Sequence, residues 1–179
     1  MTRIQSVTKE KAPKPVQEIY SVIEKKMGKV PNIFLNMGNS AAVLKGYLGL
    51  SEAASQTSLP TQLREKIALA VGQANHCNYC LSAHTAIAQH EKIADQDILL
   101  ARKGQANDKK TQAILSFAKL VTEKRGNVNE YDVAALKKEG VSDGELVEII
   151  LVIALNMFTN YFNHITDPKI DFPLAPNLT

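Results

Sequence analysis

Apolar residues recur at helical spacing along nearly the whole chain. Val16, Ile19, Tyr20 and Ile23 form one such stripe after Pro15, and Gly28 supplies its stop. Pro31 opens a short apolar segment holding Ile33, Phe34, Leu35 and Met37. Ser40 is placed to cap a helix running to about residue 54. Thr57-Ser58-Leu59-Pro60 leads into a helix over about 61–74, with proline tolerated in the first turn. Another helix is predicted over about 77–90, and a short one over 95–103 that Gly104 ends. Asn107 or Asp108 caps 109–124, closed by Gly126. A short helix over 129–138 ends at Gly140, and Ser142-Asp143-Gly144-Glu145 is a capping box opening the last helix, to about residue 164. No useful stretch alternates apolar and polar as a strand does. The expected fold is therefore all-α: one helical domain over 1–179, with its core at about 30–165. The tail, 166–179, holds Pro168, Pro173 and Pro176 and is expected to be extended.

Two features of this pattern go beyond helix placement. In the last helix, apolar residues from Leu146 to Phe158 run round every side. Such a helix is expected to be buried on every side, either centrally in one domain or partly in a subunit interface. There is also a faint internal echo. Glu65 and His84 are 19 apart, as are Glu145 and His164. Two related helical hairpins, or chance, would produce it.

Composition narrows the class. Of 179 residues, 45% are hydrophobic and 22% charged, which excludes a disordered chain. The 21 Lys and Arg against 18 Asp and Glu leave a mild +3. Lysine doublets are scattered and no basic block is interleaved with aromatics, so nucleic acid is not an expected partner. The polar, Lys- and Pro-containing start has no apolar core of a secretory signal. The longest apolar run, 149–155, is far short of a bilayer span, so no membrane association is expected. The expected location is the cytoplasm, and two cysteines are too few for a disulfide scaffold.

Both cysteines lie in His76-Cys77-Asn78-Tyr79-Cys80-Leu81-Ser82-Ala83-His84. On a helix, positions 77, 80 and 84 fall within an arc of roughly 60°. Cys77 and Cys80 can close a disulfide across one turn, with His84 a turn below Cys80. The reactive species in thiol chemistry is thiolate, which a helix N-terminus and a nearby imidazole both favour. A second thiol then resolves a sulfenic acid or a mixed disulfide. Three other readings stand beside this one: half of a zinc site, a structural disulfide, and a pair of inert buried thiols. Glu65 lies in the apolar segment 63–74. There it is either a partly desolvated proton shuttle or a solvated acid beside Arg64 and Lys66. No Gly-rich phosphate motif is present, and neither a metal nor an organic cofactor is expected.

The block Arg64-Glu65-Lys66-Ile67-Ala68-Leu69-Ala70 through Cys77-Asn78-Tyr79-Cys80 to His84 resembles the alkylhydroperoxidase D-like branch of the carboxymuconolactone decarboxylase superfamily. That signature has a Glu twelve residues before a Cys-x-x-Cys and a His four after it, and Glu65, Cys77, Cys80 and His84 match. Val30-Pro31-Asn32-Ile33-Phe34, the segment 156–164 and Asp171-Phe172-Pro173 resemble its peroxidase-related members. The resemblance implies an all-helical homo-oligomer, trimer or hexamer, acting in antioxidant defence. It implies a thiol-dependent hydroperoxidase or disulfide reductase whose cysteine pair cycles through a disulfide. A dithiol reductant, lipoyl or thioredoxin-like, would restore the thiols. Glu65 and His84 would relay protons, Cys80 would attack peroxide and Cys77 would resolve it. Helix-terminus electrostatics favour thiolate at Cys77 and the imidazole favours Cys80; Cys80 is taken as nucleophile. The sequence departs from the pattern at Tyr79, where the family has a second relay histidine. The decarboxylases proper lack the cysteine pair, so lactone decarboxylation is not expected. A zinc-binding module, or a redox-sensing or partner-binding protein of the same fold, is the alternative.

Overall fold

The structure is a computed structural model describing residues 2–178. Among the described residues the regular elements are all helical: α1 (Lys14–Met27), α2 (Asn32–Met37), α3 (Ala41–Ser55), α4 (Thr61–Ala74), α5 (Asn78–His90), α6 (Asp95–Arg102), α7 (Lys109–Glu123), α8 (Glu130–Lys138) and α9 (Asp143–Thr166). The sequence signals for helix ends act as expected. The Ser40 side chain accepts from the Val43 N–H, and Asp108 does the same for Thr111. Ser142 heads the expected capping box, and Asn129, read as the first helical residue, is instead the cap of a second one. Gly28 closes α1 in the left-handed conformation at φ 74°.

α4 organises the core, packing against α5, α6, α7 and α9. Ile67, Leu69, Ala70 and Val71 of α4 are buried with Ile114 and Leu115 of α7 and Ile149 and Val152 of α9. A second cluster gathers α1, α2 and the start of α5. It contains Val16, Tyr20, Phe34, Met37, Cys77, Tyr79 and Cys80. Gly38 is needed where α2 ends, because a Cβ there would sit 1.8 Å from the Tyr20 hydroxyl. With that space open, the hydroxyl donates to the Phe34 carbonyl at 3.0 Å and ties α1 to α2.

Of the two readings of the last helix, burial centrally within one domain is corrected. α9 is not buried on every side. Val147, Ile150, Phe158, Tyr161 and Ile165 are each 40% exposed or more and lie along one face. Its buried face is not uniformly apolar either, since Asn156, Thr159, Asn160, Asn163 and Thr166 lie within it. An unbroken apolar run hides this, because the polar positions follow its end at helical spacing. By length and composition α9 could cross a membrane. Here it packs against α3, α4, α5 and α7 as a core helix. The echo of Glu65 and His84 also has no structural counterpart. Those two residues come from adjacent helices, whereas Glu145 and His164 lie on the single helix α9 with no turn between them.

After α9 the chain reverses at Asp167, whose φ of 49° is left-handed. The tail then runs extended, as its prolines predict. It crosses the start of α5. The Lys169 carbonyl accepts from Asn32 Nδ2 at 2.9 Å, and the Ser82 hydroxyl accepts from the Ala175 N–H at 3.2 Å.

Candidate active site

The site is built where α4 turns back into α5. Asn75 ends α4, His76 takes a left-handed φ of 56°, and the Cys77 N–H donates to the Gly72 carbonyl at 2.9 Å. This tight reversal lays α5 alongside α4. Cys77 is the cap residue before α5, with extended φ and ψ, so it does not share a helical stripe with Cys80 and His84. The two cysteines meet all the same. Their Cα atoms are 5.3 Å apart and their sulfurs are joined in a disulfide. The Cys80 N–H, one of the unpaired donors of the first turn, lies 3.4 Å from the Cys77 sulfur.

Both cysteines are only 3% exposed, yet they face different surroundings. Cys80 lines a cavity of about 790 Å³, whereas Cys77 does not reach it. Glu65, His84, Asn156 and Asn163 are among the polar groups of the wall, as are Arg64 and Thr159, and Phe34, Tyr47, Tyr79 and Phe172 contribute aromatic surface. A pocket that is mostly apolar with a few convergent polar groups is the usual form of a small-molecule site.

The reversal brings Glu65 of α4 to His84 of α5, with Oε2 2.7 Å from Nδ1. Glu65 is therefore not a solvated acid beside Arg64. Arg64 turns away, donating to the Leu59 carbonyl and to Thr61 Oγ1. Burial alone would lower the pKa of His84. The charge and hydrogen bond of Glu65, helped by a hydrogen bond with Asn156, outweigh it and hold the imidazole above its ordinary value. The imidazole is thus committed to Glu65 and Asn156, and a proton passing between Cys80 and His84 crosses the cavity that both line.

Tyr79, the residue that departs from the motif pattern, is turned from the sulfurs. Its hydroxyl donates to Asp171 Oδ1 at 2.8 Å and accepts from the Ile33 N–H at 3.2 Å. Burial first, and the carboxylate of Asp171 in addition, raise its pKa, so it stays a neutral phenol. Burial pushes Tyr47 up to about 12, and the nearby charge of Glu65 adds to the effect. Asp171 also accepts from the Asn32 N–H and pairs with Lys29 at 3.2 Å. Phe172 meets the Tyr79 ring edge-on at 5.8 Å. The tail thus forms part of the cavity wall. His76 is exposed and takes no place in it.

The strongest signal missed in the sequence is on α9. The amide nitrogen of Asn163 lies 3.2 Å from the Cys80 sulfur and 4.0 Å from that of Cys77. Asn156, Asn160 and Asn163 at helical spacing behind an apolar run were the available cue. Among the described residues no cluster of three or more His, Cys, Asp or Glu converges on one point.

A cysteine pair that closes a disulfide beside a cavity, with a carboxylate–imidazole pair in the same wall, belongs to the thiol–disulfide class of sites. Residues 41–123 match the model of the carboxymuconolactone decarboxylase family, and the chain shares its fold with solved AhpD-like structures. That segment spans α3 to α7 and holds Glu65, Cys77, Cys80 and His84. The solved structures it resembles include the alkylhydroperoxidase AhpD core of an uncharacterized peroxidase-related protein from Ralstonia eutropha JMP134. Identity is 23% over 95% of this chain and 92% of that one, with a TM-score of 0.86. A peroxidase-related protein from Silicibacter sp. TM1040 follows at 22%, over 93% and 90%, with a TM-score of 0.82. The debrominase Bmp8 matches at 23% over 96% and 93%, with a TM-score of 0.81. At these identities the likeness establishes the fold. No curated protein matches the sequence.

Proposed function

We propose that the protein is a thiol-dependent hydroperoxidase in which Cys80 is the peroxide-reacting thiol, Cys77 resolves it, and Glu65 and His84 move the protons. The observation that carries this reading is the placement of Cys80, alone of the two cysteines, on the cavity wall that holds the Glu65–His84 pair. In the reduced protein the Cys80 proton passes to His84, whose raised affinity for it comes from Glu65. The thiolate attacks the distal peroxide oxygen and the O–O bond breaks. The alkoxide leaves as alcohol with the proton from His84, and Cys80 becomes a sulfenic acid. The Cys77 thiol then displaces water from it and forms the disulfide. A dithiol reductant restores both thiols by exchange and carries away the two electrons as its own disulfide. Such a cycle suits the reducing cytoplasm, and no metal or organic cofactor enters it. The exposed stripe of α9 supports self-association into a homo-oligomer.

The test is steady-state consumption of an organic hydroperoxide with dihydrolipoamide as reductant. The wild type is expected to turn over and Cys80→Ser to be inactive. Wild-type turnover in Cys80→Ser would overturn the assignment.

A second reading has its own support. The cavity wall is rich in aromatic surface, and Bmp8, a debrominase whose C-to-A variant was seen with 2,3,4-tribromopyrrole, has the same fold. The same dithiol could reduce a brominated aromatic ring: two thiol electrons replace C–Br by C–H, bromide leaves and the disulfide forms. Release of bromide from a bromopyrrole, with no peroxide turnover, would favour this reading over the first.

A further inference from the structure

The α9 helix contributes directly to the sulfur chemistry. Asn163 is 5% exposed, and its amide nitrogen is the side-chain donor that reaches Cys80, at 3.2 Å from the sulfur. The same nitrogen is 4.0 Å from Cys77, so the contact discriminates between the two cysteines. Its other amide atom, Oδ1, is buried without a hydrogen-bond partner. A buried acceptor left unpaired is unfavourable, and an asparagine serving only to fill space there would be replaced at a gain by an apolar residue of similar shape. The donor end explains what the side chain contributes. A hydrogen bond to an ionised acceptor is roughly twice as strong as one to a neutral acceptor, so an N–H aimed at sulfur favours thiolate over thiol.

We propose that Asn163 is a catalytic residue whose amide N–H donates to the Cys80 sulfur and selects that sulfur, rather than Cys77, as the thiolate. The proposal deepens the reading of Cys80 as the reacting thiol and rests on it. It also settles the conflict between the two sequence cues. The helix-terminus donor, the Cys80 N–H, faces the Cys77 sulfur, and the α9 donor faces Cys80. Cys80 thus obtains its stabilisation from a separate element, 83 residues away in the chain.

The experiment uses the full-length chain with Cys77→Ser, so that Cys80 is the single thiol. Its ionisation is followed by ultraviolet thiolate absorbance as a function of pH, with Asn163 present and with Asn163→Leu. The midpoint is expected to rise by about one pH unit in the Leu variant, about a tenfold fall in thiolate below the midpoint. The rate of oxidation by an organic hydroperoxide should fall in parallel near neutral pH and converge with that of the parent at high pH. If Leu disrupts folding, Asn163→Ala gives the same readout. An unchanged midpoint in a folded variant overturns the proposal. A raised midpoint with no peroxide reaction in either protein leaves Asn163 as a thiolate donor and overturns the peroxidase reading instead, so the two failures are distinguishable.

Discussion

At the scale of single residues, the account rests on unequal surroundings of two chemically identical groups. Cys77 and Cys80 are equally buried, but only Cys80 shares a cavity with His84 and Glu65. The oxidised forms should therefore differ between single variants. Cys77→Ser is expected to stop at a Cys80 sulfenic acid after one equivalent of hydroperoxide, trapped by dimedone; Cys80→Ser is expected to give no dimedone adduct at the motif. Glu65 has a separate test. Its charge is what overcomes the burial penalty on the His84 imidazolium. Glu65→Gln should move the His84 titration downward in NMR and slow peroxide reduction by about 10²-fold or more. The sign for stability follows from the raised His84 value. A raised group contributes stability that is fully present below the ordinary histidine pKa and lost as pH rises through the folded-state value. The melting-temperature gap between wild type and Glu65→Gln should then be wider at about pH 6 than at about pH 8.5. A gap that widens with rising pH would show that the pair does not act in this way.

At the scale of elements, what was legible in the sequence was local. Ser40, Asp108 and Ser142 announce helix starts because their partners are backbone N–H groups three residues on. The cysteine motif was legible for the same reason. The Glu65–His84 contact was implied by resemblance, since no local pattern says that α5 folds back along α4. Contacts over long separations stayed hidden. Tyr79 finds Asp171 92 residues away and Asn163 finds Cys80 across 83, and nothing in either neighbourhood encodes the partner. The buried amides of α9 were masked by the apolar run before them. An element-level prediction concerns the α1–α2 junction. Gly38→Ala should displace Tyr20 from its bond to Phe34 and cost about 1–3 kcal/mol in urea unfolding, as overpacking does. Loss within experimental error would mean that the junction yields freely.

For the whole molecule, the salient feature is a helix half inside the core and half bare. The exposed residues of α9 from Val147 to Ile165 span five turns, about 27 Å along the axis. Surfaces of that kind mark contacts with other chains more often than with water. Sedimentation velocity is expected to show a homo-oligomer, and Ile150→Glu combined with Tyr161→Glu should shift it to monomer while leaving the helical circular dichroism intact. A wild type that is monomeric at micromolar concentration would remove the interface. The tail belongs to the same scale. It joins the C-terminal end of the chain to the Cys-x-x-Cys turn through Tyr79, so the cavity wall depends on residues from both halves of the sequence.

The central claim is that one small-molecule oxidant converts these two thiols into a disulfide. The most direct measurement is the mass of the fully reduced protein after one equivalent of an organic hydroperoxide, followed by peptide mapping. The account predicts a loss of two hydrogens confined to the peptide that holds Cys77 and Cys80, with no oxygen retained. Two free thiols after the hydroperoxide has been added, or oxygen incorporated elsewhere while both thiols remain titratable, would contradict it.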